Sequence, residues 1–256
     1  MPGLVRSPPP ARKAGGMEDS NMAAKFDLAS DDALLIVDVQ NDFCPGGALA
    51  IEAGDRVVPV VNAWIRDFTE RGLTVFASRD WHPEHHPSFE QEGGRWPRHC
   101  LQDTAGAAFH PELALPDSAT VVTKGVRFDQ DQNSAFDQTG LEARLQRQGI
   151  RRLFVAGLAL DVCVMATAVD ARKLGFEVVL IADATRAVNA RNAEEALALM
   201  RAAGVHILAP DREAKAETQP GDVEGDAPEV CLKAPEWAEH QRLDDSDMPC
   251  DDGRAG

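Results

Sequence analysis

The sequence predicts a three-layer α/β/α domain on a mostly parallel sheet of roughly six strands. Three observations carry that expectation. Between about Phe26 and Leu208, short apolar runs alternate without a break with stretches of helical periodicity. The apolar runs are near-continuous rather than alternating, as in strands buried on both faces. The segments between them are long enough for helical crossovers, which implies parallel pairing with right-handed connections.

Ala33 to Val39 (Ala-Leu-Leu-Ile-Val-Asp-Val) is the first run. After a Gly-rich loop, Val57, Val58, Val61, Trp64, Ile65 and Phe68 recur at helical spacing, with Gly72 as the expected stop. Leu73 to Ala77 is the second strand and Ala119 to Thr123 the third. A helix over Leu141 to Gln148 ends at Gly149, ahead of a fourth strand at Leu153 to Ala156. The helix from Val162 to Leu174 stops at Gly175, and Val178 to Ala182 is the fifth strand. A helix from Ala193 to Ala203 stops at Gly204, and Val205 to Leu208 closes the set. No internal repeat is visible. Neither a Gly-x-Gly-x-x-Gly after the first strand nor a phosphate-loop Lys is present, so nucleotide binding loses its usual signature.

Both ends lose the pattern. Residues 1–26, with Ser7-Pro8-Pro9-Pro10 and Gly15-Gly16, are expected to be a disordered tail, and Met17 and Met22 are candidate starts. Residues 27–210 are expected to form one domain. From Asp211 onward, fourteen acidic and five basic residues account for −9 of the net charge of −16. That composition reads as a solvated acidic extension. The negative charge argues against nucleic acid as a partner. No run is long enough to span a bilayer. Five cysteines without framework spacing, and no secretory signal, point to free thiols in a reducing cytoplasm.

The chemistry-bearing residues follow the apolar runs directly, where open α/β sheets keep their sites. Cys163 stands at the expected start of a helix, whose positive end favours a thiolate. A Cys is more often a small buried apolar residue. Asp161 two positions earlier, with the small Gly157 and Ala159, shifts the balance, because a turn of small residues lets backbone N–H groups converge on a reacting carbonyl. Lys124 ends a strand; it is either a solvated exit residue or a charge that stabilises a thiolate. Asp38 interrupts an apolar run, so its carboxylate needs a cationic partner or a cleft. Lys124 and a thiol proton are both candidates, the second making Asp38 a general base.

Asp80, His82, His85 and His99 supply the oxygen and nitrogen ligands that Zn²⁺, Mn²⁺ or Fe²⁺ accepts. His86, His110, His206 and His240 are read as ordinary loop histidines. Cys100 lacks the Cys-x-x-Cys spacing of a structural zinc site.

At these residues the chain resembles the nicotinamidase branch of the isochorismatase-like cysteine hydrolases, from about Asp32 to Pro210. The resemblance rests on Asp38-Val-Gln-Asn-Asp-Phe-Cys-Pro-Gly-Gly47, Asp80-Trp-His-Pro-Glu-His85 with Ser88-Phe89, and Trp96-Pro-Arg-His-Cys100. Lys124-Gly125, Ser134-Ala-Phe136, Gly157-Leu-Ala-Leu-Asp-Val-Cys163 and Asp183-Ala-Thr-Arg-Ala-Val188 complete it. It implies a Cys163–Asp38–Lys124 triad, a thioester intermediate and an oxyanion hole from the amides of Ala159 and Cys163. It also implies a cis peptide at Leu158-Ala159, with Leu158 counted among the substrate-binding residues. One divalent metal ion (Zn, or Fe/Mn) is implied on Asp80, His82 and His99, with His85 as a further ligand. Phe43 and Trp96 are implied as aromatic walls on the substrate ring. The short stretch between Phe89 and Trp96 and the Asp/Gln-rich loop Val126 to Asn133 are expected at the pocket mouth.

The expected reaction is therefore deamidation of nicotinamide to nicotinate and ammonia, a step in NAD salvage. The competing readings are another carboxamide or carbamoyl amidohydrolase of the superfamily, or a non-catalytic metal- or partner-binding relative. Isochorismatase proper is disfavoured by the presence of Cys163. The expected partner is a small carboxamide, with a homo-oligomer left open.

Overall fold

The computed structural model describes residues 27–208; the expected tails lie outside the described residues. Six strands, β1 (Asp32–Val37), β2 (Thr74–Asp80), β3 (Thr120–Lys124), β4 (Arg152–Leu158), β5 (Glu177–Arg186) and β6 (His206–Leu208), form one sheet. Their order is β3-β2-β1-β4-β5-β6, and every pairing is parallel. Strand order reverses between β1 and β4, which opens a crevice at the carboxyl ends of those two strands.

α1 (Val57–Glu70) lies over the sheet because its apolar residues share one stripe. Val58, Val61, Trp64, Ile65 and Phe68 pack on Leu34, Ile36, Ala77, Phe154, Ala156 and Ile181, alternate positions of four strands. Trp64, Phe68 and Phe154 meet with ring centroids 5.5 to 6.2 Å apart. Burying each such ring stabilises the fold by about 1.5–3 kcal/mol. The intervening residues Leu35, Val155 and Leu180 are also fully buried. α2 (Leu141–Arg147), α3 (Met165–Lys173) and α4 (Ala193–Ala202) complete the helices, with α3 and α4 packed on each other and against β5 and β6. Among the described residues, no helix is long and apolar enough to cross a membrane.

Several boundaries differ from the expected ones, β2 running on to Asp80 and β4 to Leu158 among them, and three further differences shape the site and its neighbours. β1 stops at Val37 because Asp38 adopts φ 46°, which ends the extended chain. The segment after β4 begins as a π-helical turn, Leu160–Val164, before α3 proper. β5 runs on to Arg186, four residues further than expected, past a register shift against β4 between Val155 and Gly157. At Gly157 the strands come so close that an added Cβ would lie 2.0 Å from the Val37 carbonyl oxygen. Only glycine permits that approach.

Candidate active site

Register explains why distant residues meet. Asp80 and Lys124 are paired partners on β2 and β3, and Val37, just before Asp38, pairs with Gly157 on β4. All the carboxyl ends thus finish at one rim. The Asp38 N–H donates to the Ser78 carbonyl at 3.2 Å, and the Ser78 hydroxyl donates to Asp38 Oδ1 at 2.7 Å. These bonds hold the turned backbone and aim the carboxylate inward.

The ammonium of Lys124, fully buried, sits at the centre. Its Nζ is 2.8 Å from Asp38 Oδ2, 2.7 Å from Asp80 Oδ1 and 3.4 Å from Cys163 Sγ. Ligand atoms of Asp38, Asp80 and Cys163 lie within 4.8 Å of one another. Burial works against the charged lysine, but the two carboxylates hold its pKa well above the usual value. Burial raises Asp38 despite the Lys124 charge, and the Asp80 carboxylate adds to the effect. Burial likewise pushes the Cys163 thiol well up, with Lys124 opposing and Asp38 reinforcing. A thiol and an unusually basic carboxylate thus face each other beside a fixed positive charge. That is the electrostatic setting for passing a proton between them.

The π-helical turn that carries Cys163 is anchored by Asp161. Its carboxylate accepts from the N–H groups of Val188 (2.8 Å) and Asn189 (3.2 Å), and from Asn192 Nδ2 (3.3 Å). The Leu158–Ala159 peptide is cis. The Ala159 carbonyl, in turn, accepts from the N–H groups of both Val162 and Val164.

A second group surrounds Asp80. Ligand atoms of Asp80, His82 and His99 lie within 4.8 Å of one another, all buried. His82 Nδ1 is 2.9 Å from the Gly125 carbonyl and His99 Nδ1 is 2.7 Å from that of Pro97. A carbonyl only accepts, so both Nδ1 atoms donate, which leaves each neutral ring an Nε2 lone pair. Nε2 of His82 is buried with no hydrogen-bond partner. Buried lone pairs fixed from behind by carbonyls, beside a carboxylate, fit a divalent cation. Burial favours the acid form of Asp80, yet the charges of Lys124 and His82 hold it well below the usual carboxylate range. Burial, then the His82 charge, lower His99 to about 4. Burial also opposes protonation of His82, but Asp80 outweighs it and raises the pKa.

A cleft opens onto Cys163 of the first group and onto Asp80, His82 and His99 of the second. Phe43, Leu49, Trp96, Ala159, Val162 and Val188 form its apolar walls; Asp80, His82, His99 and Cys163 lie at its polar end, with Asp131 and Asn133 on the loop side. The placement of the last two agrees with the expectation for that loop.

Two expected residues lie elsewhere. The His85 side chain is 81% exposed and turns to Glu92 at 2.8 Å, away from the cluster. His86, read as an ordinary loop histidine, is the buried one. Its ring is 4.3 Å from that of His82, its Nε2 has no partner, and burial followed by the His82 charge lowers it to about 4. Spacing alone could not separate the neighbouring histidines, because loop direction decides which turns inward. Leu158 is fully buried at the end of β4 and does not line the cleft. Sequence reading also passed over Ser78 and Gln40. Gln40 Oε1 accepts from the Asp80 N–H at 2.7 Å, while its Nε2 donates to the Asp80 and Ala107 carbonyls, both at 2.8 Å.

A family model described as the isochorismatase domain matches residues 32–211. A nicotinamidase from Escherichia coli (strain K12) is 42% identical over 189 residues, covering 66% of this chain and 89% of its own length. The crystal structure of a pyrazinamidase from Pyrococcus horikoshii in complex with zinc matches with a TM-score of 0.68 and 44% identity, over 70% of this chain and 98% of that one. The structure of PnC1 from L. infantum in complex with nicotinate matches with a TM-score of 0.66 and 42% identity, over 70% and 92%.

Proposed function

The chain belongs to the isochorismatase domain family, and on that premise we propose that it hydrolyses nicotinamide to nicotinate and ammonia, with Cys163 as nucleophile. The observation that carries this reading is the meeting of Cys163 Sγ, Lys124 Nζ and the Asp38 carboxylate at one end of an aromatic-walled cleft.

Asp38 takes the thiol proton as Sγ attacks the amide carbon. The amide N–H groups of Ala159 and Cys163 receive the developing oxyanion, and the Lys124 ammonium lowers the cost of the thiolate. Protonated Asp38 returns its proton to the nitrogen as the C–N bond breaks, releasing ammonia and leaving a thioester on Cys163. Asp38, again a carboxylate, takes a proton from water as the water oxygen attacks the thioester carbon. The C–S bond then breaks, the acid departs, and the proton returns to sulfur.

Asp80, His82 and His99, with His86 beside them in place of His85, would hold a divalent ion, which would supply a coordination site for the pyridine nitrogen and so orient the ring. Zinc suits this set of one carboxylate and imidazoles, and Fe²⁺ or Mn²⁺ would also be accepted. Phe43 and Trp96 sandwich the ring. The reaction returns nicotinamide to NAD salvage in a reducing cytoplasm, consistent with the free thiols of Cys44, Cys100 and Cys163.

Ammonia release from nicotinamide, pyrazinamide and a carbamoyl amine, measured side by side, tests this reading. Turnover of the pyridine and pyrazine carboxamides but not the carbamoyl compound is expected; the reverse order would overturn it.

A further inference from the structure

Asp131 brings a third carboxylate to the cleft, and no part of the mechanism above uses it. Its Oδ1 accepts only the N–H of the adjacent Gln132 at 2.9 Å, and it has no cationic partner among the described residues. The cation of its own loop is engaged elsewhere, since Arg127 pairs with Asp129 at 2.6 Å and with Asp137 at 3.5 Å. Gln132, buried between Asp131 and Asn133, fastens the loop. Its Oε1 accepts from the N–H groups of Val126 (3.0 Å) and Arg127 (3.2 Å), and its Nε2 donates to the Asp137 carbonyl at 2.6 Å. The Asp131 carboxylate is therefore held at the cleft wall without a direct ion pair; burial raises its pKa and the Asp80 carboxylate adds to that, against the charges of Lys124 and His82.

Substrate and product of the proposed reaction differ chiefly in charge. A carboxamide is neutral, and the acid it becomes is an anion. Asp80 and Asp131 line the cleft, and Asp38 and Lys124 lie fully buried beside Cys163; ionised, the four supply three negative charges and one positive. A divalent cation on the Asp80 group brings that balance to about zero, which suits a neutral ligand. Without Asp131 the balance would be positive and would hold the product. We propose that Asp131 is a specificity-determining residue that makes the cleft prefer the neutral carboxamide to its carboxylate product, so that product leaves. This rests on the nicotinamidase reading. Removing one unit charge from the wall of such a cleft changes the affinity for an anion by about tenfold.

The test is calorimetric binding at pH 8 to zinc-loaded protein carrying Cys163→Ala, with zinc content measured for each variant. Dissociation constants for nicotinamide and nicotinate are compared with and without Asp131→Asn and Asp131→Glu. Asp131→Asn is expected to shift the nicotinate-to-nicotinamide affinity ratio about tenfold toward nicotinate. Asp131→Glu, which keeps the charge and changes the shape, is expected to hold that ratio within about threefold. An unchanged ratio in Asp131→Asn, or an equal shift in both variants, overturns the role of Asp131. Absence of ammonia release from nicotinamide by the wild-type protein would instead overturn the reading on which it rests.

Discussion

Nζ of Lys124 lies 2.7 Å from Oδ1 of Asp80, so the residue beside the Cys163 thiol also holds the carboxylate of the Asp80–His82–His99 group. The same ammonium is 2.8 Å from Asp38. Two buried carboxylates share one cation, and neither group can change without disturbing the other.

Replacing Lys124 by Met should therefore do more than slow the reaction. It leaves Asp38 and Asp80 buried without their cation, a loss of about 3–5 kcal/mol in stability. Denaturant unfolding of the zinc-free protein should show that drop. Adding Asp38→Asn should restore part of the stability without restoring ammonia release. Full stability in Lys124→Met would mean that the buried ion pairs contribute little.

Chelation separates orientation from nucleophilicity. Removing the divalent ion should cut turnover of nicotinamide while Cys163 remains open to alkylation by iodoacetamide, because the thiol environment comes from Asp38 and Lys124 rather than from the ion. Parallel loss of turnover and of alkylation would show that the ion supports the fold itself.

Metal uptake near pH 6.5 should release protons from His82 alone, at most one per ion. His99 and His86, each lowered to about 4, are already neutral there. His82 is the exception, because Asp80 raises it above the ordinary 6.5 against the effect of burial. In the zinc-free protein the His82–Asp80 pair stabilises the fold fully below the unfolded value, and this contribution is lost as pH rises through the raised one. Zinc affinity should accordingly climb with pH across that window. Calorimetric titrations in two buffers of different ionisation heat give the proton count; release of three protons would contradict this assignment.

Gly125 is a positional requirement of the same group. At φ 72°, an added Cβ would meet His82 Cε1 at 2.5 Å and Nδ1 at 2.6 Å. Gly125→Ala should displace the ring and weaken zinc binding by about 10–100-fold, the usual effect of disturbing a residue that orients a ligand. A competition titration with a fluorescent chelator measures it, and unchanged affinity would show that the ring relaxes at no cost.

Much of this was legible in the chain because the local signals agree with the fold. Continuous apolar runs gave the six strands, the spacing from Val57 to Phe68 gave α1, and chemical residues directly after those runs gave the rim of the sheet. What escaped was set by backbone direction and long-range pairing. The left-handed turn at Asp38 and the π-helical start of the Cys163 segment have no distinct pattern in composition. His85 and His86 are adjacent in sequence, and only the path of the loop shows that the second is buried. Gln40 and Ser78 act across 40 residues, through bonds to Asp80 and Asp38 that no short motif records.

The reaction proposed for Cys163 is most directly tested by acid-quenching the protein during turnover of nicotinamide and weighing the peptide that contains this residue. A nicotinoyl group on that peptide is predicted, absent from Cys163→Ala, whose ammonia release should fall at least about 10⁴-fold while nicotinamide still binds. Turnover by Cys163→Ala within tenfold of the wild-type rate would contradict the assignment of the nucleophile.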